Sequence, residues 1–220
     1  MLFRSNVRAI DAATGEQVLQ QGSHNDWVLG TVFSKDGSHV ISVGRDMSTK
    51  LTEVETQRFV DNVTSITPGA LRGGLHAVAR RPGCDEVVIG GADGVPQLYL
   101  VFRQAARKIG DNANLLRRFP AMEGRIFAVD YSPDGRLIAA ASSLNGKGAV
   151  HLFPGEHETA IPENIRKAYT KVATTYSADE KKAIEEFTTR GTKRAAAAEL
   201  GTAIYALAFS PDGARVAAGG

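Results

Sequence analysis

The chain has 220 residues, 43% hydrophobic and 23% charged, which is the balance of one ordinary soluble, core-forming domain. Twenty-six Lys and Arg against 24 Asp and Glu leave a formal charge of +2, which excludes a polyanion-binding surface spread over the whole chain. A single cysteine, Cys84, excludes an internal disulfide, a four-cysteine zinc site and a Cys-x-x-Cys-His haem attachment, while no stretch has the length of a membrane span and MLFRSNVRAI lacks a signal-peptide layout.

Two short β-prone runs open the chain, about Val7–Ile10 and Gln17–Gln21. A repeat then sets the spacing of everything that follows. Phe33-Ser-Lys-Asp-Gly37, Arg80-Arg-Pro-Gly-Cys84, Tyr131-Ser-Pro-Asp-Gly135 and Phe209-Ser-Pro-Asp-Gly213 align, with Ser34, Arg81, Ser132 and Ser210 separated by 47, 51 and 78 residues. Each copy reads as a hairpin: a β-prone run such as Ile126–Tyr131, a turn in which Asp bonds the backbone ahead and Gly accepts positive φ, then a second apolar run such as Leu137–Ala141 or Val87–Ile89. Apolar residues in succession, rather than in alternation, suit strands buried on both faces. Four-strand groups are expected over about 26–60, 75–119 and 125–198, with two final strands at Ala203–Phe209 and Arg215–Ala218, sixteen strands in all.

The third interval is about 30 residues longer than its neighbours, and the excess falls between Pro154 and Thr192. Residues 163–194 hold 13 charged residues in 32, so most of that stretch faces water. Pro162 suits a first helical turn, with Ile165, Tyr169, Val172 and Tyr176 along one apolar stripe. Ser177-Ala-Asp-Glu180 is a capping box ahead of Ala183, Ile184 and Phe187, and Gly191 would end that helix. A helical hairpin projecting from the third complete unit is the expectation for 154–192. Thr192–Leu200 resumes as the outer strand or extends the helices.

These residues resemble the WD40-repeat β-propellers. His24-Asn-Asp-Trp-Val28 is similar to the family's blade-opening segment, Phe33–Gly37 to its first turn, and Val40–Asp46 with Ser48–Leu51 to its second and third strands. Val7–Glu16 resembles a third strand and the hairpin leading to an outer strand. Thr52-Glu53 stands where the family's Trp-Asp pair would be. The resemblance implies an all-β, WD40-like propeller of about four blade equivalents occupying 1–220. It is expected to be a fragment of a larger ring of about six to eight blades; the alternative is a small closed ring in which the two half-blades pair. Arg58–Leu71 and Gly90–Gly94 are also similar to segments in propellers of planctomycete-type bacterial multidomain cytochromes, an association of context that would place the chain in the periplasm.

His24, Ser42 and Asp46 have the residue types of a nucleophilic triad, but no Gly-x-Ser-x-Gly elbow accompanies them. The resemblance implies instead a structural hydrogen-bond network of blade-opening His, second-strand Ser and turn Asp. His24, His39, His76, His151 and His157 fall in no metal-ligand spacing, and Gly90–Gly94 lacks the Gly-Lys-Ser/Thr ending of a phosphate loop. No cofactor or metal is therefore expected. Arg103, Arg107, Lys108, Arg117 and Arg118 form the densest basic stretch, offset only by Asp111 and flanked by Phe102 and Phe119. They are expected to bind an anionic protein partner rather than nucleic acid, with Trp27 either anchoring a rim contact or packing between blades. The functional expectation is a non-enzymatic protein-interaction scaffold, with self-association through open blade edges a further route. The alternative is a propeller domain of a larger bacterial redox or hydrolytic enzyme whose catalytic part lies elsewhere.

Overall fold

The computed structural model describes residues 5–67, 71–158 and 160–220. Residues 68–70 of the Arg58–Leu71 segment, and Thr159 of the insert, lie outside them. Sixteen strands are present among the described residues. β1 (Val7–Ile10) and β2 (Gln17–Gln21) form one antiparallel hairpin. The first complete blade is β3 (Val28–Phe33), β4 (His39–Gly44), β5 (Thr49–Glu53) and β6 (Phe59–Asn62) in that order. The second is β7 (Leu75–Arg80), β8 (Glu86–Gly91), β9 (Gln97–Leu100) and β10 (Leu115–Arg118). The third is β11 (Arg125–Tyr131), β12 (Leu137–Leu144), β13 (Lys147–Pro154) and β14 (Ala196–Leu200). A last hairpin, β15 (Ala206–Phe209) and β16 (Val216–Gly219), follows. The inner strands β3, β7, β11 and β15 contact one another in sequence, so the sheets stack as propeller blades. β1–β2 and β15–β16 are separate two-stranded sheets, so the pairing of half-blades into a closed four-bladed ring is not formed.

The repeated turn is a hydrogen-bonded device. Ser34 Oγ donates to Asp36 Oδ1 at 2.7 Å and accepts the His39 N–H at 2.9 Å, while Asp36 Oδ1 accepts the Ser38 N–H at 3.0 Å. Ser132 and Asp134 repeat all three bonds, as do Ser210 and Asp212. The glycine that follows has φ +75°, +72° and +70° in the three copies, the left-handed region where a side chain is strained. In the second blade, Arg81 stands at the serine position. Its Nη1 bonds Glu86 Oε2 at 3.1 Å, so an ion pair replaces the Ser–Asp bond across the same turn.

The second strands form the core. All six residues of β8 are buried, as are five of six in β4. One cluster (Ile41, Val43, Leu51, Val87, Ile89, Tyr99) lies between the first two blades, and another (Val88, Leu98, Ile126, Ile138, Phe153) between the second and third. Glycine permits the second contact: a Cβ on Gly90 would sit 2.4 Å from Ile126 Cγ2.

The insert departs from expectation in two ways. α1 (Glu163–Ala168) stops before Val172, with Pro162 as its N-cap rather than within its first turn. The β-branched run ends it: Thr170 Oγ1 donates to the Lys167 carbonyl at 2.7 Å, and a 3-10 turn at Ala173–Thr175 follows. α2 (Ala178–Thr189) carries the Ser177–Glu180 capping box, with Gly191 at φ +71° just beyond its end. Nor does the insert project. α2 packs on β10 of the second blade, and Ile165, Tyr169 and Phe187 join Leu116 and Phe119 in that blade's core, because burial of these side chains outweighs solvation of the charged helix faces. Past the insert, Ala196–Leu200 pairs with β13 as the outer strand and does not extend the helices.

Gly90→Ala should lower unfolding stability by roughly 1–3 kcal/mol through overpacking against Ile126. Chemical denaturation checks this, with Gly37→Ala, where nothing lies within 4 Å, separating steric from backbone cost.

Candidate functional site

His24 lies in the loop after β2, Ser42 in the middle of β4, and Asp46 in the turn between β4 and β5. The structure brings the three together. His24 Nδ1 is 3.0 Å from both Asp46 carboxylate oxygens, and Nε2 is 2.8 Å from Ser42 Oγ. A carboxylate accepts only, so the proton between His24 and Asp46 sits on Nδ1. Asp46 also accepts the Asn25 N–H at 2.9 Å and the Ser48 hydroxyl at 2.7 Å. These bonds tie the blade-opening loop to the β4–β5 turn and hold Met47 at φ +62°, a conformation unfavourable for its side chain.

The distances are those of a serine-nucleophile triad, and burial decides against that chemistry. Ser42 is 1% exposed and His24 2%, so no substrate reaches the hydroxyl. Ser42 is flanked by Ile41 and Val43, both fully buried. Among the described residues the network occurs in one blade. At the equivalent positions of the second blade Leu71 and Ile89 replace His24 and Ser42, and only Asp93 remains, accepting the Val95 N–H at 3.1 Å.

Burial works to raise the Asp46 carboxyl. Hydrogen bonds from His24, the Asn25 N–H and Ser48 outweigh it and hold the group well below the ordinary carboxylate range. Its folded pKa is therefore depressed, and its contribution to stability is complete above the unfolded value and lost as pH falls through the folded one.

Three of the five residues of the basic stretch are engaged within the protein. Arg103 makes a bidentate contact with Asp111, Nη2 at 2.7 Å and Nη1 at 3.2 Å, and its Nε lies 3.3 Å from Asp61 of β6. Arg107 Nη2 bonds Asp61 Oδ1 at 2.7 Å and the Asn62 carbonyl at 2.5 Å. Asp61, forty-six positions before Arg107, is the second counter-charge that sequence spacing does not reveal. Two arginines and two aspartates thus clamp the second blade to the outer strand of the first. Burial raises the Asp111 carboxyl, but the Arg103 pair and the Lys108 and Ala113 N–H groups hold it below the ordinary range.

Arg117 is a correction of a different kind. It is 2% exposed and cannot meet a partner. Its Nη1 donates to the Leu116 carbonyl at 2.6 Å and Nη2 to the Glu158 carbonyl at 3.0 Å, with the guanidinium 4.6 Å from the Phe187 ring centroid. It pins the insert to β10. Burial lowers its pKa.

Lys108 and Arg118 remain exposed. Trp27, at the rim before β3, is 43% exposed, with the Arg45 guanidinium 5.3 Å from its ring centroid. Cys84 is a free, half-buried thiol whose pKa burial raises. Among the described residues no three His, Cys, Asp or Glu side chains cluster as metal ligands, and no helix is long and apolar enough to cross a membrane.

Asp46→Ala should cost about 2–3 kcal/mol, because it strips charge-assisted bonds from His24, Asn25 and Ser48. The wild-type chain should also lose stability as pH falls below the normal Asp range, a slope shallower in Asp46→Asn; urea titrations at stepped pH read both. Arg103→Ala should cost about 2 kcal/mol and Lys108→Ala no more than about 0.5, measured as shifts in denaturant midpoint.

The family model described as WD domain, G-beta repeat matches residues 15–52 and 113–147. The first match begins with β2 and runs through β3 and β4 into β5. The second begins ahead of β10 and runs through β11 and β12 to the start of β13. Each match thus straddles two blades, taking the outer strand of one and the inner strands of the next. A comparison with curated proteins finds no match. The two matched repeats, set on stacked four-stranded blades, support assigning the chain to the WD40-repeat family.

Proposed function

We propose that this propeller arc is a non-catalytic scaffold that docks a protein partner on its rim. One observation carries this: the only Ser-His-Asp constellation predicted in the chain is sealed in the first blade, with Ser42 1% exposed, while the rim residue Trp27 stands 43% exposed under a guanidinium. Aromatic and arginine side chains at the centre of a contact supply most of the binding energy in protein interfaces. WD40 repeats favour the same reading, since the family's propellers are protein-interaction platforms.

The basic residues then divide by role. Arg103, Arg107 and Arg117 hold blades and insert together, so a partner meets only Lys108 and Arg118 of the original set.

A fluorophosphonate probe should leave Ser42 unlabelled in the folded chain; labelling there would overturn the non-catalytic reading. Affinity capture from the native source should retain a stoichiometric protein with wild type and lose most of it with Trp27→Ala at unchanged melting temperature. Recovery of no protein at all would overturn the scaffold.

A further inference from the structure

The two half-blades are complementary halves. β15 and β16 are laid out as the inner and second strands of a blade. Val216 lies opposite Phe209 as Val40 lies opposite Phe33, and the Arg215 N–H meets Ser210 Oγ at 2.9 Å as the His39 N–H meets Ser34 Oγ. β1 and β2 are laid out as the third and outer strands. β1 shifts register against β2 after Ala9, as β5 does against β6 after Leu51. Two residues on, the Asp11 N–H meets the Glu16 carbonyl at 2.8 Å, as the Glu53 N–H meets that of Arg58 at 2.9 Å. Ala9, Ile10 and Asp11 therefore stand where Leu51, Thr52 and Glu53 stand in the first blade.

Both halves have an open edge. Arg215 spends its backbone N–H and carbonyl on Ser210, so strand alternation points those of Val216 and Ala218 away from β15. No strand pairs with β16 on that side among the described residues, and none pairs with β1 on the side away from β2. The register of β4 on β5, laid onto the two halves, sets Arg215 opposite Asp11, Val216 opposite Ile10 and Ala217 opposite Ala9.

The side chains fit that register. In the second blade the matching pair, Val87 and Tyr99, packs on the blade before it. The blade before β16 is the third, and beside Val216 its face is an apolar groove of about 480 Å³ lined by Val150, Leu152, Ala196 and Ala198. Ile10, 55% exposed, is the side chain the register delivers to this groove. Arg215 and Asp11 have opposite charges and are both exposed, and neither forms an ion pair among the described residues. A second apolar match lies on the other face. Leu207 packs toward the third blade, so Ala206 and Ala208 face away from it and are exposed. Gly30 faces the second blade, against Val78, so Phe33 faces the opposite way and is 50% exposed.

Within one chain the halves stay in separate sheets. We propose that they pair between two copies of this chain, β1–β2 of each completing the blade begun by β15–β16 of the other. This goes beyond the partner-docking reading and does not depend on it. Each copy brings three complete blades and two halves, so two copies close at eight blades about a twofold axis. That is within the range of about four to eight blades that propellers adopt, whereas three copies would need about twelve. Edge-strand hydrogen bonds hold each junction, the Ile10 and Phe33 contacts bury its faces, and Arg215 with Asp11 fixes its register.

The test is sedimentation equilibrium of the full chain, with a disulfide trap for the register. The wild type should sediment at twice the chain mass. Arg215→Glu, at an exposed side chain, should weaken the dimer about tenfold or more by setting like charges together at both junctions, equivalent to about 1.4 kcal/mol or more. With Cys84→Ser, the pair Ala9→Cys and Ala217→Cys should oxidise to a covalent dimer, since directly opposed residues come within disulfide reach. Ala9→Cys with Val216→Cys, one residue out of register, should not. A wild-type monomer at micromolar concentration would overturn the pairing. A disulfide formed within one chain would overturn it in favour of a four-bladed ring. Species larger than a dimer would overturn the closed ring, and equal trapping of the shifted pair would overturn the register.

Discussion

Val87, Val88 and Ile89 are consecutive in one strand and all fully buried. Successive residues of a strand point to opposite faces, so both faces of that sheet must be covered. A single blade cannot satisfy this condition, and neither can two. Stacking is therefore a requirement of the second strands, and the other features of the fold serve it. The Ser-x-Asp-Gly turns set the hairpin register that places those strands. Gly90 lets Ile126 of the next blade come close, and the arginine clamp at Asp61 closes a seam where apolar packing gives way to the polar outer strands.

The same condition explains why a constellation with catalytic distances does no catalysis in this reading. Ser42 sits among side chains that must be sandwiched, so its hydroxyl needs an internal partner. His24 supplies it and passes the constraint to Asp46, which fixes the next turn. In the second and third blades leucine and methionine, Leu71 and Met122, occupy the histidine position and meet the same need by apolar packing. One polar and two apolar solutions thus serve the same architecture. Two of the five basic residues that suggest an interface are likewise spent on blade-to-blade contact, and a third on holding the insert.

Much of the fold was legible because its signals are local. A Ser-Pro-Asp-Gly turn carries its own hydrogen-bond chemistry, so sixteen strands and their grouping follow from four turns and the apolar runs beside them. The capping box at Ser177 is local for the same reason. What was hidden depends on contacts between distant segments. Asp61 precedes Arg107 by forty-six positions, and nothing in either neighbourhood announces the pair. Arg117 reads as one more charge in a basic run; its burial follows from the insert folding back onto β10 rather than away from it. One-residue bulges in the inner strands, at Leu29, His76 and Phe127, leave a trace only in the aligned repeats, where parity of apolar positions shifts by one across each of them.

The insert leaves the chain between β13 and β14 of the third blade yet lies on β10 of the second. A segment anchored in one blade and buried against another acts as a strap across the boundary. Separating these two blades would expose Phe187, Ile165 and the Arg117 guanidinium together, in addition to the ordinary inter-blade face. In a stacked repeat the weakest boundary sets where the array opens. Here the insert adds its own burial to the boundary between the second and third blades, whereas the boundary with the first blade rests on inter-blade packing and a clamp of four charged side chains.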